Sequence, residues 1–373
     1  MRLSRMIPSP LRPRPRTVHS EQEAGTLMAD GFPRESPRPL HVIATRHGIG
    51  VFDECWFEYR QLLLEHLTLA SIDAQTSKDF LWLIGIDRDM PQEARKRLDG
   101  MVEGRPHIRL LEVELKRDFK GAVANWVSTQ ASEMGARWIM TTRLDDDDAI
   151  HRELVERLHR EAGVFLDRGE RRTAVFAPAL GCNWVPAEMS GHRSFHPSPS
   201  MGLTVMLPSS ERRSIYDWNH MKLAEQLAPS GAYIKSIDDD TMWWLYAHTR
   251  LSDQHREGSN RRTKAHAHTH AFELDEATLG EFGISPESAR LVKRTPEPQP
   301  VDTTHYLTKR GADVEREIHE LRRALRRRQY ANDAEAMGMR DRIAELHSER
   351  RRMHQGLVHS AGPPGSSAPN DSG

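Results

Sequence analysis

Two runs of aspartate are the residues of this 373-residue chain whose type and spacing could do chemistry. Asp145–Asp148 follows the apolar segment WIMTTRL, and Asp238–Asp240 follows YIKSI. Neighbouring carboxylates repel each other, by roughly 2–3 kcal/mol per pair at ~6 Å and an effective dielectric of ~20. Full solvation or a bound cation would relieve this repulsion, so each run is either a solvated turn or a candidate ion site.

The position of the first run favours a metal site. In open α/β sheets, ligands bind at the carboxyl ends of strands. Because side chains alternate in an extended segment, Asp145 and Asp147 are expected to face the same way. The pair could hold one Mn²⁺ or Mg²⁺ ion, with water and phosphate oxygens completing the shell. The other interpretation is a solvated turn in which Asp148 caps a helix that begins at Ala149.

The second run, Asp238–Asp240, is followed by Thr241 and a predicted helix. A carboxylate in such a position can accept a proton from a nearby hydroxyl group. The alternative is a structural one, in which Asp240 caps the helix and the next two tryptophans pack in the core.

The sequence around the two runs predicts an α/β domain, because short apolar strands alternate with helical periodicity. The strands are expected at 40–46, 80–87, 107–115 and 137–144. Residues 181–200 are expected to form a loop. Residues 313–353 follow a helical pattern with a polar break and a narrow apolar stripe.

These patterns divide the chain into five parts. The apolar fraction is 37%, below the soluble-domain norm, which indicates unpacked extensions. The predicted parts are a disordered Pro/Arg-rich tail (1–38), the α/β domain (39–250), a polar extension (251–310), a long helix (311–356) and a disordered tail (357–373). The long helix could form a coiled coil and make a homodimer through 313–353.

Composition excludes several classes of protein. The net charge of -1, from 53 basic and 54 acidic residues, argues against a dedicated nucleic-acid-binding protein. Two distant cysteines match no disulfide or zinc spacing, which favours a reducing compartment. No apolar run approaches ~18 residues, so no transmembrane segment is expected. The phosphate-binding motifs GxxxxGK[ST] and GxGxxG do not occur.

The order of these segments resembles the nucleotide-sugar glycosyltransferases of the A-type fold. Four segments are similar to sequences of the bacterial rhamnosyltransferase family. In chain order they are HVIATR, WFEYRQLLLEHLTLASIDAQT, FLWLIGIDRDMP and TTRLDDDDAI. The resemblance covers roughly residues 40–250. It implies a Rossmann-like mixed sheet flanked by helices, with the C-terminal helix added to it.

The resemblance also implies a donor site at the carboxyl ends of the first strands. Asp145 and Asp147 match the metal-diphosphate motif, and His248 is a further candidate ligand. The residues expected to contact the nucleotide sugar are Thr45, Arg46, Asp87, Lys120, Asn125, Arg143 and Asp145.

The activity implied is transfer of a sugar, which by the name of the family could be rhamnose, from a nucleoside-diphosphate sugar to a glycan or lipid-linked acceptor. The reaction would depend on a divalent ion and invert the anomeric centre, with Asp239 or Asp240 as the base. The expected setting is cytoplasmic, either free or peripheral at the inner face of the membrane. Two alternatives remain: a nucleotidyl or phosphoryl transferase with the same metal site, and an inactive scaffold that assembles through its C-terminal helix.

Overall fold

Most of the chain from residue 38 onward has a defined structure in the computed structural model. The described residues are 38–51, 53–114, 116–249, 251, 271–298, 309–327 and 333–360. All but the last residue of the predicted N-terminal tail (1–38), about half of the polar extension (251–310) and most of the C-terminal tail (357–373) therefore lie outside the described residues.

Strands of the described chain form one seven-stranded and one five-stranded sheet. In chain order they are β1 (Leu40–His47), β2 (Leu81–Asp87), β3 (Ile108–Val113), β4 (Trp138–Arg143), β5 (Ala149–Ile150), β6 (Ala174–Pro178), β7 (Leu180–Val185), β8 (Ser190–Phe195), β9 (Thr204–Pro208), β10 (Tyr233–Ile237), β11 (Trp244–Ala247) and β12 (Ala271–Glu273).

Helices cover both faces of the larger sheet. They are α1 (Glu54–Leu63), α2 (Ala70–Asp73), α3 (Gln92–Val102), α4 (Phe119–Glu133), α5 (Leu154–Asp167), α6 (Leu223–Leu227), α7 (Glu276–Glu281), α8 (Pro286–Arg294), α9 (Lys309–Arg327) and α10 (Asp333–Ser360). A π-helical segment, Leu64–Leu69, connects α1 with α2.

The larger sheet has the order β10-β6-β9-β4-β1-β2-β3. Strands β3, β2, β1 and β4 are parallel neighbours, and β9 runs antiparallel between β4 and β6. The chain order reverses at β1, which pairs with both β2 and β4. The α/β class and the mixed sheet predicted from the sequence are confirmed.

Strand β2 shows why the central segments are continuously apolar. Trp82, Ile84 and Ile86 pack into the core on one face of the sheet, and Leu83 packs into the α4 side on the other. A strand covered on both faces needs apolar side chains at odd and even positions alike. This pattern was recognisable in the sequence.

The predicted helix after the first aspartate run begins later than expected. Ala149–Ile150 is a short strand of the smaller sheet, because it pairs antiparallel with Trp244 and Leu245. Helix α5 begins at Leu154. The prediction that Asp148 caps a helix is therefore wrong.

Three further predictions of secondary structure are corrected. Residues 244–247 form strand β11 rather than a helix, since they pair with β5 and β7. The expected loop 181–200 contains the hairpin β7–β8. The long C-terminal helix is two helices, α9 and α10, whose apolar residues Val314, Ile318 and Leu346 form a small common core. The predicted homodimer stays a prediction, although these apolar positions already contact each other within one chain.

Candidate functional site

The candidate site lies where the carboxyl ends of β1 and β4 meet. Arg46 and His47 end β1, and Arg143 ends β4 immediately before the aspartates. This is the point at which strand order reverses, where the ends of parallel strands leave a crevice for a ligand. The fold therefore brings the first aspartate run to the expected place.

The four aspartates form a turn rather than an extension of β4. The Asp148 amide donates to the Asp145 carbonyl at 3.4 Å. The side chain of Asp145 is 28% exposed, whereas Asp146 and Asp147 are 5% and 3% exposed. The expectation that an extended segment makes Asp145 and Asp147 face the same way is wrong, and Asp145 is the carboxylate that faces the crevice.

A buried arginine, Arg60 of α1, neutralises the middle of the turn. Its Nη2 and Nε lie 2.6 and 3.0 Å from Asp146 Oδ1, and its Nη1 lies 2.5 Å from Asp147 Oδ2. Burial raises the pKa of Asp146, but the charge of Arg60 and the hydrogen bond from His47 together hold it well below its usual value. Arg60 is itself only 8% exposed, so the turn is tied to the core.

His47 completes this network from β1. Its Nδ1 donates to Asp146 Oδ2 at 2.5 Å, and its ring contacts Trp56 and Phe57. The other ring nitrogen, Nε2, is buried and has no hydrogen-bond partner in the described part of the chain. The histidine therefore helps to fix the orientation of the aspartate turn.

Arg143 is held at the rim of the crevice by three groups. Its Nη2 donates to Asp145 at 3.2 Å, its Nη1 donates to His220 Nδ1 at 2.9 Å, and its guanidinium lies 5.6 Å from the centre of the Tyr216 ring. The Tyr216 hydroxyl donates to the Ala44 carbonyl at 2.9 Å. These contacts hold a cation beside Asp145 before any ligand arrives.

Asp148 carries the least satisfied group of the turn. One carboxyl oxygen accepts from the Ala247 amide at 3.3 Å, and the other, Oδ2, is buried without a partner among the described residues. Burial, followed by the charges of Asp147 and Asp145, raises its pKa well above the usual value. An excess of carboxyl over guanidinium groups therefore remains in the turn.

This excess fits a divalent cation, although the chain supplies few ligands. The part-exposed Asp145 carboxylate and the unpartnered Asp148 oxygen are oxygen ligands of the kind that a hard cation prefers. Within the described ranges, no group of three or more His, Cys, Asp or Glu side chains is arranged to hold a metal ion. The rest of the shell would have to come from water and diphosphate oxygens.

Two more cations lie at the end of the β1 strand. Arg46 is half-buried there. Burial raises the pKa of Asp145, but the charges of Arg143 and then Arg46 lower it below its usual value. Partial burial and the charge of Arg46 lower the pKa of Lys116. Two cations that lie close together favour an anionic ligand between them.

Thr45 and Asp87, two predicted contacts of the nucleotide, are inside the protein. Thr45 is fully buried and accepts from Trp82 Nε1 at 2.8 Å, which gives its side chain a place in the sheet. Asp87 is 1% exposed and accepts from the amides of Gly50 and Asp89 at 3.0 and 2.9 Å. Burial raises the pKa of Asp87 to about 6, against the lowering effect of the Asp89 amide.

Lys120 and Asn125, predicted on the helix after β3, are both exposed on α4. Lys120 Nζ lies 3.2 Å from Asp217 Oδ1. That contact connects α4 with the short helical turn Ile215–Asp217, which also carries Tyr216. The two residues remain predicted ligands.

The second aspartate run lies in an exposed loop between β10 and β11. Asp239 accepts from Arg157 Nη1 and from Trp243 Nε1, both at 2.8 Å. These contacts tie it to α5. Asp240 is exposed, and its carbonyl accepts from Arg193 at 3.1 Å. The roles of both residues as bases stay predictions.

His248 follows β11 and is brought beside the first aspartate run. The amide of its neighbour Ala247 donates to Asp148, and its own amide donates to the Trp184 carbonyl at 2.7 Å. The fold therefore places the backbone beside His248 near the turn. Its role as a metal ligand stays a prediction.

Sequence reasoning did not identify Arg60 or His47 as parts of the site, and left His220 unassigned. Arg60 lies within WFEYRQLLL, where an arginine on an otherwise buried helix surface is a signal for a buried counter-charge. No comparable signal marks His47. Its role depends on a contact across 99 positions of the sequence.

Comparisons with known proteins assign the chain to a family. A model of the family described as "Putative rhamnosyl transferase" matches residues 41–257. No curated protein sequence matches the chain significantly. Across the described residues, no helix is long and apolar enough to cross a membrane.

Several solved structures match the chain, with low TM-scores. S. aureus TarS 1–349 in complex with UDP has a TM-score of 0.31 and 11% identity, and the match covers 58% of this chain and 62% of that one. The same protein in complex with UDP-GlcNAc has a TM-score of 0.31 and 15% identity, over 84% and 92%. A "putative nucleotide-diphospho-sugar transferase" from Desulfovibrio desulfuricans G20 has a TM-score of 0.31 and 7% identity, over 68% and 97%.

The family match covers more than half of the chain and contains every residue of the candidate site. This chain therefore belongs to the family described as "Putative rhamnosyl transferase".

Proposed function

We propose that this protein transfers a sugar from a nucleoside-diphosphate sugar to a glycan or lipid-linked acceptor, on the cytoplasmic side of the membrane. The observation that carries the proposal is the aspartate turn at the β1–β4 crevice. It is buried and held in place by Arg60, while Asp145 and Arg143 lie at its rim. Family membership supports the reaction class.

The diphosphate would bind at the cationic side of the crevice. Arg46, Lys116 and Arg143 lie there, and charge-assisted hydrogen bonds from guanidinium to phosphate are among the stronger polar contacts in proteins. Arg143 is already oriented by Tyr216 and His220, so little order would be lost on binding. These residues would hold the leaving diphosphate in place.

A divalent ion, Mn²⁺ or Mg²⁺, would be held by Asp145, with Asp147 and His248 as further candidates. Such an ion supplies Lewis-acid stabilisation of the charge that develops on the leaving diphosphate. The half-exposed carboxylate of Asp145 makes it the best-placed ligand. Asp147 would share its carboxylate between the ion and Arg60.

Direct displacement would invert the anomeric centre. The acceptor oxygen forms a bond with the anomeric carbon as the bond from that carbon to the diphosphate oxygen breaks, and a carboxylate takes the hydroxyl proton. Asp240 is the better candidate for this base, because it is exposed. Asp239 is already engaged by Arg157 and Trp243.

The proposal can be tested by identifying which bond of the donor is cleaved. The protein would be incubated with UDP-, GDP- and dTDP-linked sugars and Mn²⁺, and the products would be separated by chromatography. Glycosyl transfer, or slow hydrolysis by the same route, yields a nucleoside diphosphate. A nucleotidyl or phosphoryl transferase would yield a nucleoside monophosphate or a sugar phosphate.

An Asp145→Asn variant provides the site control for this assay. Release of nucleoside diphosphate should be lost in Asp145→Asn and retained in Asp99→Asn, whose carboxylate is 52% exposed on α3. Monophosphate as the product would contradict the proposal in favour of nucleotidyl transfer. If the wild type neither binds nor turns over any of these donors, the alternative of an inactive scaffold would be favoured.

A further inference from the structure

The C-terminal helix pair, α9 and α10, lies against the same edge of the sheet as the candidate site. Arg350 Nη2 of α10 is 2.7 Å from Asp89 Oδ2, just beyond the end of β2. Arg322 of α9 pairs with Glu114, just beyond the end of β3. Arg322 Nη2 also lies 2.8 Å from His347 Nε2, so the two contacts are joined.

These contacts are buried, which distinguishes them from ordinary surface ion pairs. The side chain of Arg350 is 5% exposed, that of Asp89 is 18% exposed, and that of Asp87 is 1% exposed. Taking such charges out of water is costly unless they are paired. A contact of this kind fixes the position of the helix pair on the domain.

A chain of polar contacts connects Arg350 with the loop after β1. Arg350 Nη2 is 4.0 Å from Asp87 Oδ1, and that oxygen accepts from the Asp89 amide. The other Asp87 oxygen accepts from the Gly50 amide. Gly48 and Gly50 have φ of +60° and +82°, a backbone conformation that favours glycine at both positions of this loop.

The loop directly follows Arg46 and His47, which belong to the candidate site. A route of polar contacts therefore runs from Arg350 through Asp87 to the backbone beside the expected nucleotide. The family match ends at residue 257, whereas the helix pair begins at Lys309. The pair is thus an addition to the part of the chain that defines the family.

We propose that the C-terminal helix pair is a working part of the donor site, with Arg350 as a positioning residue for the nucleoside end of the donor. It acts through Asp87 and Asp89, which hold the Gly48–Gly50 loop in the shape that receives the nucleotide. This inference rests on the proposed function, because it assumes that a nucleoside diphosphate binds at the end of β1.

The test is a titration of the full-length protein with UDP, GDP and dTDP in the presence of Mn²⁺. Arg350→Ala should weaken the nucleotide that binds the wild type by about tenfold, the effect expected for loss of one charge-assisted contact. The kcat at saturating donor should stay within about twofold, because no reacting atom is touched. Arg350→Lys should restore part of the affinity.

Arg342→Ala is the matched control. Arg342 lies on the same helix, is 43% exposed and pairs with Glu317 and Glu345 inside the helix pair. It should leave nucleotide affinity unchanged. If Arg350→Ala fails to fold, Asp89→Asn breaks the same contact from the other side and should weaken binding similarly.

The outcomes separate this inference from the proposed function. Wild-type affinity in both Arg350→Ala and Asp89→Asn would overturn the role of the helix pair and leave the function intact. Tighter binding in either variant would also overturn it, because the pair would then obstruct the site. If none of the three nucleotides binds the wild type, the proposed function itself fails.

Discussion

The two aspartate runs look alike in sequence and differ completely in their surroundings. Both follow a strand, but Asp146–Asp148 are buried and bonded to Arg60, His47 and the Ala247 amide. Asp238–Asp240 lie in a loop, where, among the residues that the structure describes, the side chains of Arg157 and Trp243 contact Asp239. A buried cluster needs dedicated counter-charges, whereas an exposed run needs few.

The largest effect on stability is expected when Arg60, the counter-charge of the first run, is removed. Arg60→Met should destabilise the protein by about 3–5 kcal/mol, because it leaves two buried carboxylates without their cation. Arg157→Met, the corresponding change at the second run, should cost less than about 1 kcal/mol, since Arg157 and Asp239 are partly exposed. Urea unfolding of both variants measures this. Equal costs would remove the distinction between the two runs.

The second prediction concerns catalysis by the exposed run. Asp240→Asn should lower kcat on the order of 100-fold, with donor KM unchanged, because a general base contributes at least that much. Asp239→Asn should affect kcat far less, since its contacts are structural. Steady-state kinetics with a fixed acceptor gives both values. A large loss in Asp239→Asn beside a neutral Asp240→Asn would reverse the assignment.

The third prediction concerns the pH dependence of stability, to which the buried histidines and the aspartate turn should contribute differently. His41 Nδ1 and His159 Nε2 lie 2.9 Å apart, and burial lowers the pKa of both. The unfolded chain therefore binds more protons below pH ~6.5, and stability should fall with falling pH by up to about 1.4 kcal/mol per unit for each group. The raised pKa of Asp87 acts in the opposite direction between pH 7 and pH 5. The test therefore compares the change in unfolding free energy between the two pH values in the wild type and in His41→Gln, and an equal change in both would contradict the prediction.

Asp146 should not contribute to that fall. Because the pKa of Asp146 lies well below its usual value, its ion pair with Arg60 contributes stability at both pH 7 and pH 5. In Arg60→Met the buried carboxylates lose their cation and take up protons more readily as the pH falls, so the cost of this substitution should be smaller at pH 5 than at pH 7. A cost at pH 5 equal to or larger than that at pH 7 would contradict this role of Arg60.

A small effect is also expected for loss of the hydrogen bond between Trp243 and the second run. Trp243→Phe removes the hydrogen bond from Nε1 to Asp239 and keeps the aromatic packing against His151. The loss should be about 0.5–1.5 kcal/mol, the net value of one hydrogen bond. Thermal unfolding measures it, and a loss as large as that of Arg60→Met would contradict the view of a weakly held loop.

Local patterns in the sequence were sufficient for the central strands and for the place of the first aspartate run. The apolar run of β2 and the position of Asp145 directly after β4 depend on neighbours in the sequence. The strand at Trp244–Ala247 was missed because WWLYA suits helix and strand equally. Its pairing with Ala149–Ile150, a segment far away in sequence, determines which of the two forms.

The partners of the aspartates could not be predicted for the same physical reason. Arg60 and His47 reach Asp146 across 86 and 99 positions, so no spacing rule connects them. The burial of Thr45 and Asp87 likewise follows from packing against Trp82 and the C-terminal helix pair. The sequence identified the edge of the sheet where the site lies, and the tertiary contacts determine which side chains face it.

Donor binding with and without metal tests the central claim most directly. The thermal unfolding of wild type, Asp145→Asn and Asp240→Asn would be followed with a UDP-, GDP- or dTDP-linked sugar, in Mn²⁺ and in EDTA, since a bound donor raises the midpoint by mass action. We expect a Mn²⁺-dependent shift in the wild type and in Asp240→Asn, and none in Asp145→Asn. A shift that persists in Asp145→Asn and disappears in Asp240→Asn would contradict the account.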